Sequence, residues 1–381
     1  MPEVTVIRDV PGLLALGSEW DALLERSAVD TVFLTWDWLL SWWEVYGDGV
    51  QPLVITVRDG GRLVAAAPLK IERRQRVRVP YRQVEFIGTG RAVCPDFLDF
   101  VIERGREPEL APLLVQALVR ARGWDKLLLT DITSTSIVLP LIAQGLQATG
   151  RGAVVTPDRV CPYVPLPATW PELEARLSHT FRRNHRKKRR RLPATLWRWE
   201  PGDDLERAFD DLSSLHQSRM ETSGRGGKFR DPAYRDFHFR FSQRAGGRGW
   251  LYLATLQWEE RPIAARYGFV YRDVYYAYQS GFDPAMEDRS PSEVLLGTIL
   301  EDLIQRGARE FNFLRGAMRH KFHWTNLVRE THKLEAWRPL GRGLVVGMVD
   351  RLAARRRAQR AAAEAEATAT VAPPPEDAAA E

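Results

Sequence analysis

Cysteine is scarce: Cys94 and Cys161 are the only two in 381 residues. That is too few for a disulfide framework, so a reducing cytoplasm is the expected compartment. No run approaches the roughly 18 consecutive apolar residues of a membrane span. The opening MPEVTVIRDVPG has no charged-then-apolar leader, and no signal peptide is expected. The seven histidines stand in neither a CxxC nor an HExxH setting, so no metal site is expected. GxSxG, GxxxxGK(S/T) and GxGxxG are absent as well, which argues against nucleotide hydrolysis and dinucleotide redox.

What is present describes a globular protein. Hydrophobic residues make up 44% and charged residues 27% of the chain, excluding wholesale disorder and coiled coil. The length suits two domains. The formal charge of +6 is local: the segment Arg182–Arg191 (RRNHRKKRRR) holds eight Lys and Arg and no acid, and the rest is slightly acidic. A general nucleic-acid coat would spread its basic residues more widely.

Hydrophobic periodicity orders the first half. A short strand at Val4–Ile7 precedes a helical pattern over Leu13–Leu24, and a second helix carries Trp36, Leu39, Leu40 and Trp43 to Gly47. Five of the 13 tryptophans lie before residue 50 and read as an aromatic core or a domain seam. A hairpin follows, Pro52–Arg58 and Arg62–Ile71 about Asp59-Gly60-Gly61. Strands at Val84–Ile87 and Phe97–Ile102, a helix over Leu110–Arg122, a strand at Lys126–Leu129 and a helix over Ser136–Ala148 complete it.

The second half repeats that order: a hairpin of Trp250–Trp258 and Arg261–Tyr271, a strand at Val274–Gly281, a helix at Pro291–Gln305 and a strand at Glu310–Leu314. RLVAA at Arg62 matches RPIAA at Arg261, and Arg122-Gly123 matches Arg306-Gly307, which suggests an internal duplication. Between the halves, the proline-rich 156–172 reads as an extended connector, and a helix from about Pro171 to Leu192 carries the basic stripe. Leu344–Arg360 is a basic helical pattern, and Ala361–Glu381 reads as a disordered tail. The expected units are therefore 1–160, 161–340 and 341–381.

The stretch from Tyr275 to Trp324 reads strand, loop, helix, strand. Ser290 or Ser292 can cap the helix, Pro291 suits an early position and Glu293 can reach back to the cap. A helix start just beyond a strand offers free N–H groups to a pyrophosphate, and Arg289 adds charge.

LHQSRMETSGRGGKF from Leu215, PIAARYGF from Pro262, YAYQSGFDP from Tyr276, SPSEVLL from Ser290 and FNFLRGAMRHKFHW from Phe311 occur in this order. Together they resemble the BioF2-like acetyltransferase domain, the CelD/BcsL group of the GNAT superfamily, which is related to the FemAB peptidyltransferases. The likeness is best over about 170–330, and residues 1–160 resemble the other half of the same architecture. It implies an α+β fold of tandem GNAT-like domains, each a mixed, mostly antiparallel sheet flanked by helices. Acetyl-CoA or another acyl-CoA would be co-substrate, held by Gln279, Arg289, Ser290, Ser292 and Glu293. Backbone of Tyr276–Ser280 would polarise the acyl carbonyl.

The family's FDFLRG-x-E-x-YK becomes FNFLRGAMRHK: Asn312 replaces an aspartate, Met318 a glutamate and His320 a tyrosine. Either His320 handles the proton, or the acceptor differs or activity is low. Lys321, His320 and His216 are the candidate catalytic residues. Arg219, Arg315, Arg186 and Arg190 are the candidate substrate-binding residues. The expected activity is N- or O-acyl transfer to an amine or hydroxyl acceptor, small or linked to a sugar or lipid, in bacterial polysaccharide or envelope-precursor metabolism. Aminoacyl-tRNA-dependent FemAB-like transfer is the second reading. A degenerate, non-catalytic GNAT-fold module at an anionic membrane surface or in a complex is the third.

Overall fold

A computed structural model describes residues 1–224 and 226–370, apart from several side chains late in the last helix. Thirteen strands form one continuous sheet. They are β1 Glu3–Ile7, β2 Gln51–Asp59, β3 Arg62–Arg76, β4 Val79–Phe86, β5 Val101–Ile102, β6 Lys126–Thr133 and β7 Gly152–Pro165, then β8 Thr195–Arg198, β9 Leu251–Trp258, β10 Arg261–Tyr271, β11 Val274–Phe282, β12 Glu310–Asn312 and β13 Val328–Trp337. The order across the sheet is β1-β2-β3-β4-β6-β13-β7-β12-β11-β10-β9-β8, with β5 on β3.

The two halves repeat hairpin, strand, helix, strand. In the first, β2–β3 and β4 lead through the helix Glu107–Arg120 to β6; in the second, β9–β10 and β11 lead through Pro291–Gln305 to β12. The matching Arg-Gly pairs mark the same device. Gly123 and Gly307 both take positive φ, +94° and +79°, where the chain leaves a helix for a buried strand. In each half the strands flanking this helix run parallel for two or three residues and then part. β4 and β6 pair only at Gln83–Lys126 and Val84–Leu127. β11 and β12 pair only from Val274–Glu310 to Tyr276–Asn312.

The 156–172 segment is not a free connector. Its first ten residues belong to β7, which pairs with β13 through Gly152–Pro162 and with β12 through Tyr163–Pro165. Its prolines do not break the ladder: Pro157 adjoins a register shift, where Asp158 is the extra residue, Pro162 stands where the partner changes from β13 to β12, and Pro165 ends the strand. β13, the last strand, inserts between β6 and β7 of the first half. Each half therefore depends on the other for its sheet.

Smaller differences have local causes. The Leu13–Leu24 pattern is two helices, Val10–Leu14 and Gly17–Arg26. The Pro171–Leu192 pattern is also two, Trp170–Arg176 and His179–Arg191, the second restarted by Ser178 accepting from the Phe181 amide. Of Phe97–Ile102 only Val101–Ile102 is strand. The chain after Gly341 forms a helix over Arg342–Thr370, and 371–381 of the expected disordered tail lie outside the described residues.

The early tryptophans form the seam. Trp38 is fully buried and packs edge-on against Phe33 of its own half and Phe237, Phe241 and Phe269 of the other. Thr35 caps its helix. Among the described residues, no helix is long and apolar enough to cross a membrane.

Leu334 on β13 is fully buried, so Leu334→Ala is expected to cost about 2–4 kcal/mol. Because β13 completes the first half, urea unfolding followed by circular dichroism and tryptophan fluorescence should remain one coincident transition. Two separated transitions would contradict the shared sheet.

Candidate active site

Where β11 leaves β12, residues 277–282 lose their strand partner on that side. A cavity of about 510 Å³ opens there, lined by Ala277–Ser280, by Phe313–Arg315, Met318, His320 and Lys321, and by His216 and Arg219. Cys94 and Asp96 reach it from the first half. β11 also carries a bulge: Tyr267 and Gly268 face Gln279 and Ala277, so Tyr278 is the extra residue. A bulge takes backbone groups out of the ladder and re-aims them, here on the cavity wall.

The helix Leu205–Thr222 delivers His216. Gly281 lets it approach, since a Cβ there would lie 2.1 Å from the backbone nitrogen of His216. His216 is 4% exposed. Its Nδ1 is 3.0 Å from the Ser280 carbonyl oxygen, a group that only accepts, so Nδ1 carries the hydrogen. Nε2 is buried and without a hydrogen-bond partner, a bare lone pair on a residue of the cavity wall. Burial lowers the pKa of this histidine, and nearby Arg219 and Lys228 add to the effect, so the ring is neutral at pH 7. Arg219, one turn on, donates to Ser280 Oγ at 3.1 Å.

Lys321 and Arg315 are already committed. Lys321 Nζ donates to the carbonyl oxygens of Phe313, Leu314 and Arg315 at 2.9, 3.0 and 2.8 Å, which uses all three of its hydrogens. Burial lowers its pKa to about 8. Arg315 is clamped by two buried carboxylates, Asp96 (3.0 Å) and Asp131 (2.9 Å), and also donates to the Pro95 carbonyl. Burial raises the pKa of both acids, Asp131 to about 6, despite the guanidinium. Lys321 has no hydrogen left for an anion, and Arg315 lines the cavity with its Nε and one terminal nitrogen already engaged.

Asn312, read as a departure, has a structural task. Its Oδ1 accepts the Leu314 amide at 2.9 Å and its amide donates to Glu310 at 3.1 Å. Leu314 is held at φ +54°, an unfavourable conformation for a branched side chain. The position needs an oxygen acceptor, which asparagine supplies as well as aspartate. Met318 is exposed. His320 lines the cavity while much of it faces water, and its pKa falls to about 4 through partial desolvation and the charges of Arg266, Lys321 and Arg219.

The remaining candidates lie apart. Gln279 lines the cavity and donates to Tyr234 Oη at 2.8 Å. Arg289, Ser290, Ser292 and Glu293 do not line it. The capping expectation is corrected: Ser290 occupies the cap position in a left-handed conformation and its side chain caps nothing. Glu293 does not reach back but pairs with Lys188 at 2.6 Å, with His185 Nδ1 3.6 Å away. Arg289 stacks over Trp258 at 4.7 Å. Arg186 and Arg190 line a separate groove with His179, Arg182 and Arg183, and Arg186 is tied to Glu174. Cys94, Asp96, Lys228 and Arg266 were not identified as site residues in the sequence. Cys94 and Asp96 come from a loop of the first half, Lys228 opens the short helical turn Lys228–Arg230, and Arg266 sits inside a strand otherwise read as core.

Residues 179–322 match the family model described as an acetyltransferase (GNAT) domain. No curated protein matches the chain. FemX superposes over 83% of this chain and 95% of its own, with a TM-score of 0.60 at 13% identity. A conserved protein of unknown function from Bacteroides thetaiotaomicron gives 88%, 100%, 0.54 and 12%. The C-terminal domain (DUF2156) of a protein described as a lysylphosphatidylglycerol synthetase from Agrobacterium fabrum gives 89%, 96%, 0.51 and 13%. At such identities these likenesses concern fold. The fold is α+β, two GNAT-like halves on one sheet, with the matched GNAT domain in the second.

Arg315→Met would leave Asp96 and Asp131 buried without their cation, at a cost of about 3–5 kcal/mol. Adding Asp96→Asn and Asp131→Asn should recover much of it in urea midpoints. Purely additive losses would rule out the clamp.

Proposed function

We propose that this tandem GNAT-fold protein is an acyl-CoA-dependent acyltransferase acting on an amine or hydroxyl acceptor. The carrying observation is the cavity at the splay of β11 and β12, with the unpartnered His216 Nε2 on a residue of its wall. An acyl thioester lying along residues 277–280 meets backbone released from the ladder by the bulge and the splay, suited to polarising its carbonyl. His216 Nε2 takes the acceptor's proton as its nitrogen or oxygen attacks, and the thiolate of CoA leaves. Lys321 acts as a positioning residue by fastening the carbonyls of Phe313–Arg315. His320, with its low pKa, is neutral at pH 7 and is the second proton acceptor in reach of the cavity.

The acyl-CoA donor, the BioF2-like grouping and a place in polysaccharide or envelope-precursor metabolism rest on the motif resemblance. A peripheral position at an anionic membrane surface is favoured by the helix after Arg342, where Val345, Met348 and Leu352 are exposed beside Arg351, Arg355 and Arg356. The aminoacyl-tRNA reading draws on the groove of His179, Arg182, Arg183, Arg186 and Arg190, a basic surface of about 280 Å³.

Calorimetry with CoA and a panel of CoA thioesters is expected to show saturable binding below millimolar. No heat at millimolar ligand, with steeply salt-dependent tRNA binding in its place, would favour the second reading. With a thioester that turns over, His216→Gln should lower kcat by about 10²- to 10⁴-fold. Because the folded-state pKa of His216 lies below its ordinary 6.5, wild-type kcat/KM should keep more than half of its pH 8 value at pH 6.5. Its acid limb should have its midpoint at lower pH, and the variant should lose that limb. An unchanged limb would assign the base elsewhere.

A further inference from the structure

Among the described residues, one cation in the cavity has neither an ion-pair nor a hydrogen-bond partner. Arg266, on β10, lines it and is 9% exposed. Its Nε is buried with no hydrogen-bond partner, and among the described residues no carboxylate pairs with its guanidinium. It lies over the Phe311 ring, 5.9 Å from its centre, with the Tyr275 hydroxyl and Arg219 nearby. The other cations are engaged: Arg315 by Asp96 and Asp131, Lys321 by three carbonyls, Lys228 by the Ala92 carbonyl at 3.0 Å, and Arg219 by Ser280 Oγ. Among the described residues Asp96 is the only acid lining the cavity, and Arg315 pairs with it.

A guanidinium taken out of water without a counter-charge is unfavourable, and it remains charged at any ordinary pH. Such a group persists where a ligand supplies the missing anion. Its position is informative. In the sheet register Arg266 faces Ser280 across the β10–β11 ladder. Ser280 is also the residue whose Oγ receives Arg219 and whose carbonyl receives His216. Three side chains from two elements thus converge on one residue, two of them guanidinium forks, which match carboxylate or phosphate oxygens bidentately.

We infer that the acceptor is itself an anion, its carboxylate or phosphate seated on Arg266 with Arg219 alongside. That places its nucleophilic amine or hydroxyl toward His216 Nε2. The inference rests on the acyltransferase reading only for the word acceptor; the anion seat itself stands on Arg266 and its neighbour Arg219. No atom of the seat reacts: it orients the nucleophile and selects against neutral analogues.

The test uses the full chain at fixed ionic strength. Thermal unfolding is followed against inorganic phosphate, glycine and, as neutral control, glycinamide, and CoA binding is measured separately by calorimetry. Phosphate or glycine should raise the Tm saturably and glycinamide should not. Arg266→Gln should weaken the anion at least tenfold, with CoA affinity changed less than twofold. Whichever anion acts on the wild type identifies the headgroup. Anion effects that are absent, or equal in wild type and Arg266→Gln, would overturn the seat. Loss of CoA binding together with the anion would assign the seat to the donor and overturn the acceptor claim. Wild type that binds the anion but not CoA would defeat the acyl-CoA reading and leave the seat intact. If Arg266→Gln does not fold, Arg219→Gln and Arg266→Lys carry the same comparison, the lysine keeping charge without the fork and binding with intermediate affinity.

Discussion

The cavity depends on one buried ion cluster. Arg315 follows β12 in the second half, whereas Asp96 and Asp131 belong to the first. Such a cluster is held together because removing its one cation strands two carboxylates in a dry interior. It ties the two halves beside the parted strands and lines the smaller hollow of the first half as well, where β4 and β6 diverge. The fixed loop that results, Phe313 to Arg315, is the wall that Lys321 then fastens through three carbonyls. Cations that look available for substrate in a linear motif are thus structural ties, and the site's free charge falls to a different arginine.

The halves are joined twice over. The seam around Trp38 is aromatic and apolar, while the sheet is continuous because β7 serves both sides and β13 returns to the first half. Together they leave the opening between β11 and β12 as the cavity flanked by strands on one side and loops on the other.

Much of this was legible in the sequence. Hairpins, the helix Pro291–Gln305 and the repeated order follow from alternation, helical spacing and Arg-Gly stops, which are local signals. His216, Arg219, Gln279, His320 and Lys321 were all named, and all line one cavity. What was not legible is pairing at a distance. The proline-rich 156–172 reads as a connector because the strands that accept it lie on either side in space, one of them 170 residues onward. Asn312 reads as a lost acid until its hydrogen bond to the Leu314 amide is seen. Arg266 looks like a strand residue because burial without a counter-ion leaves no mark in one dimension. The seat expected at Ser290–Glu293 fails in detail because the basic helix supplies Lys188 and His185 to Glu293, a contact between segments a hundred residues apart.

The bare backbone at Gly281 has a wider meaning. Helix and strand there rest on one another too closely to admit even a methyl group between them. The reach from imidazole to strand is therefore set by a hard stop, not by an adjustable side chain. Thermal fluctuation can open that gap but cannot narrow it, so the His216 imidazole has a floor to its travel that requires no further residue to enforce.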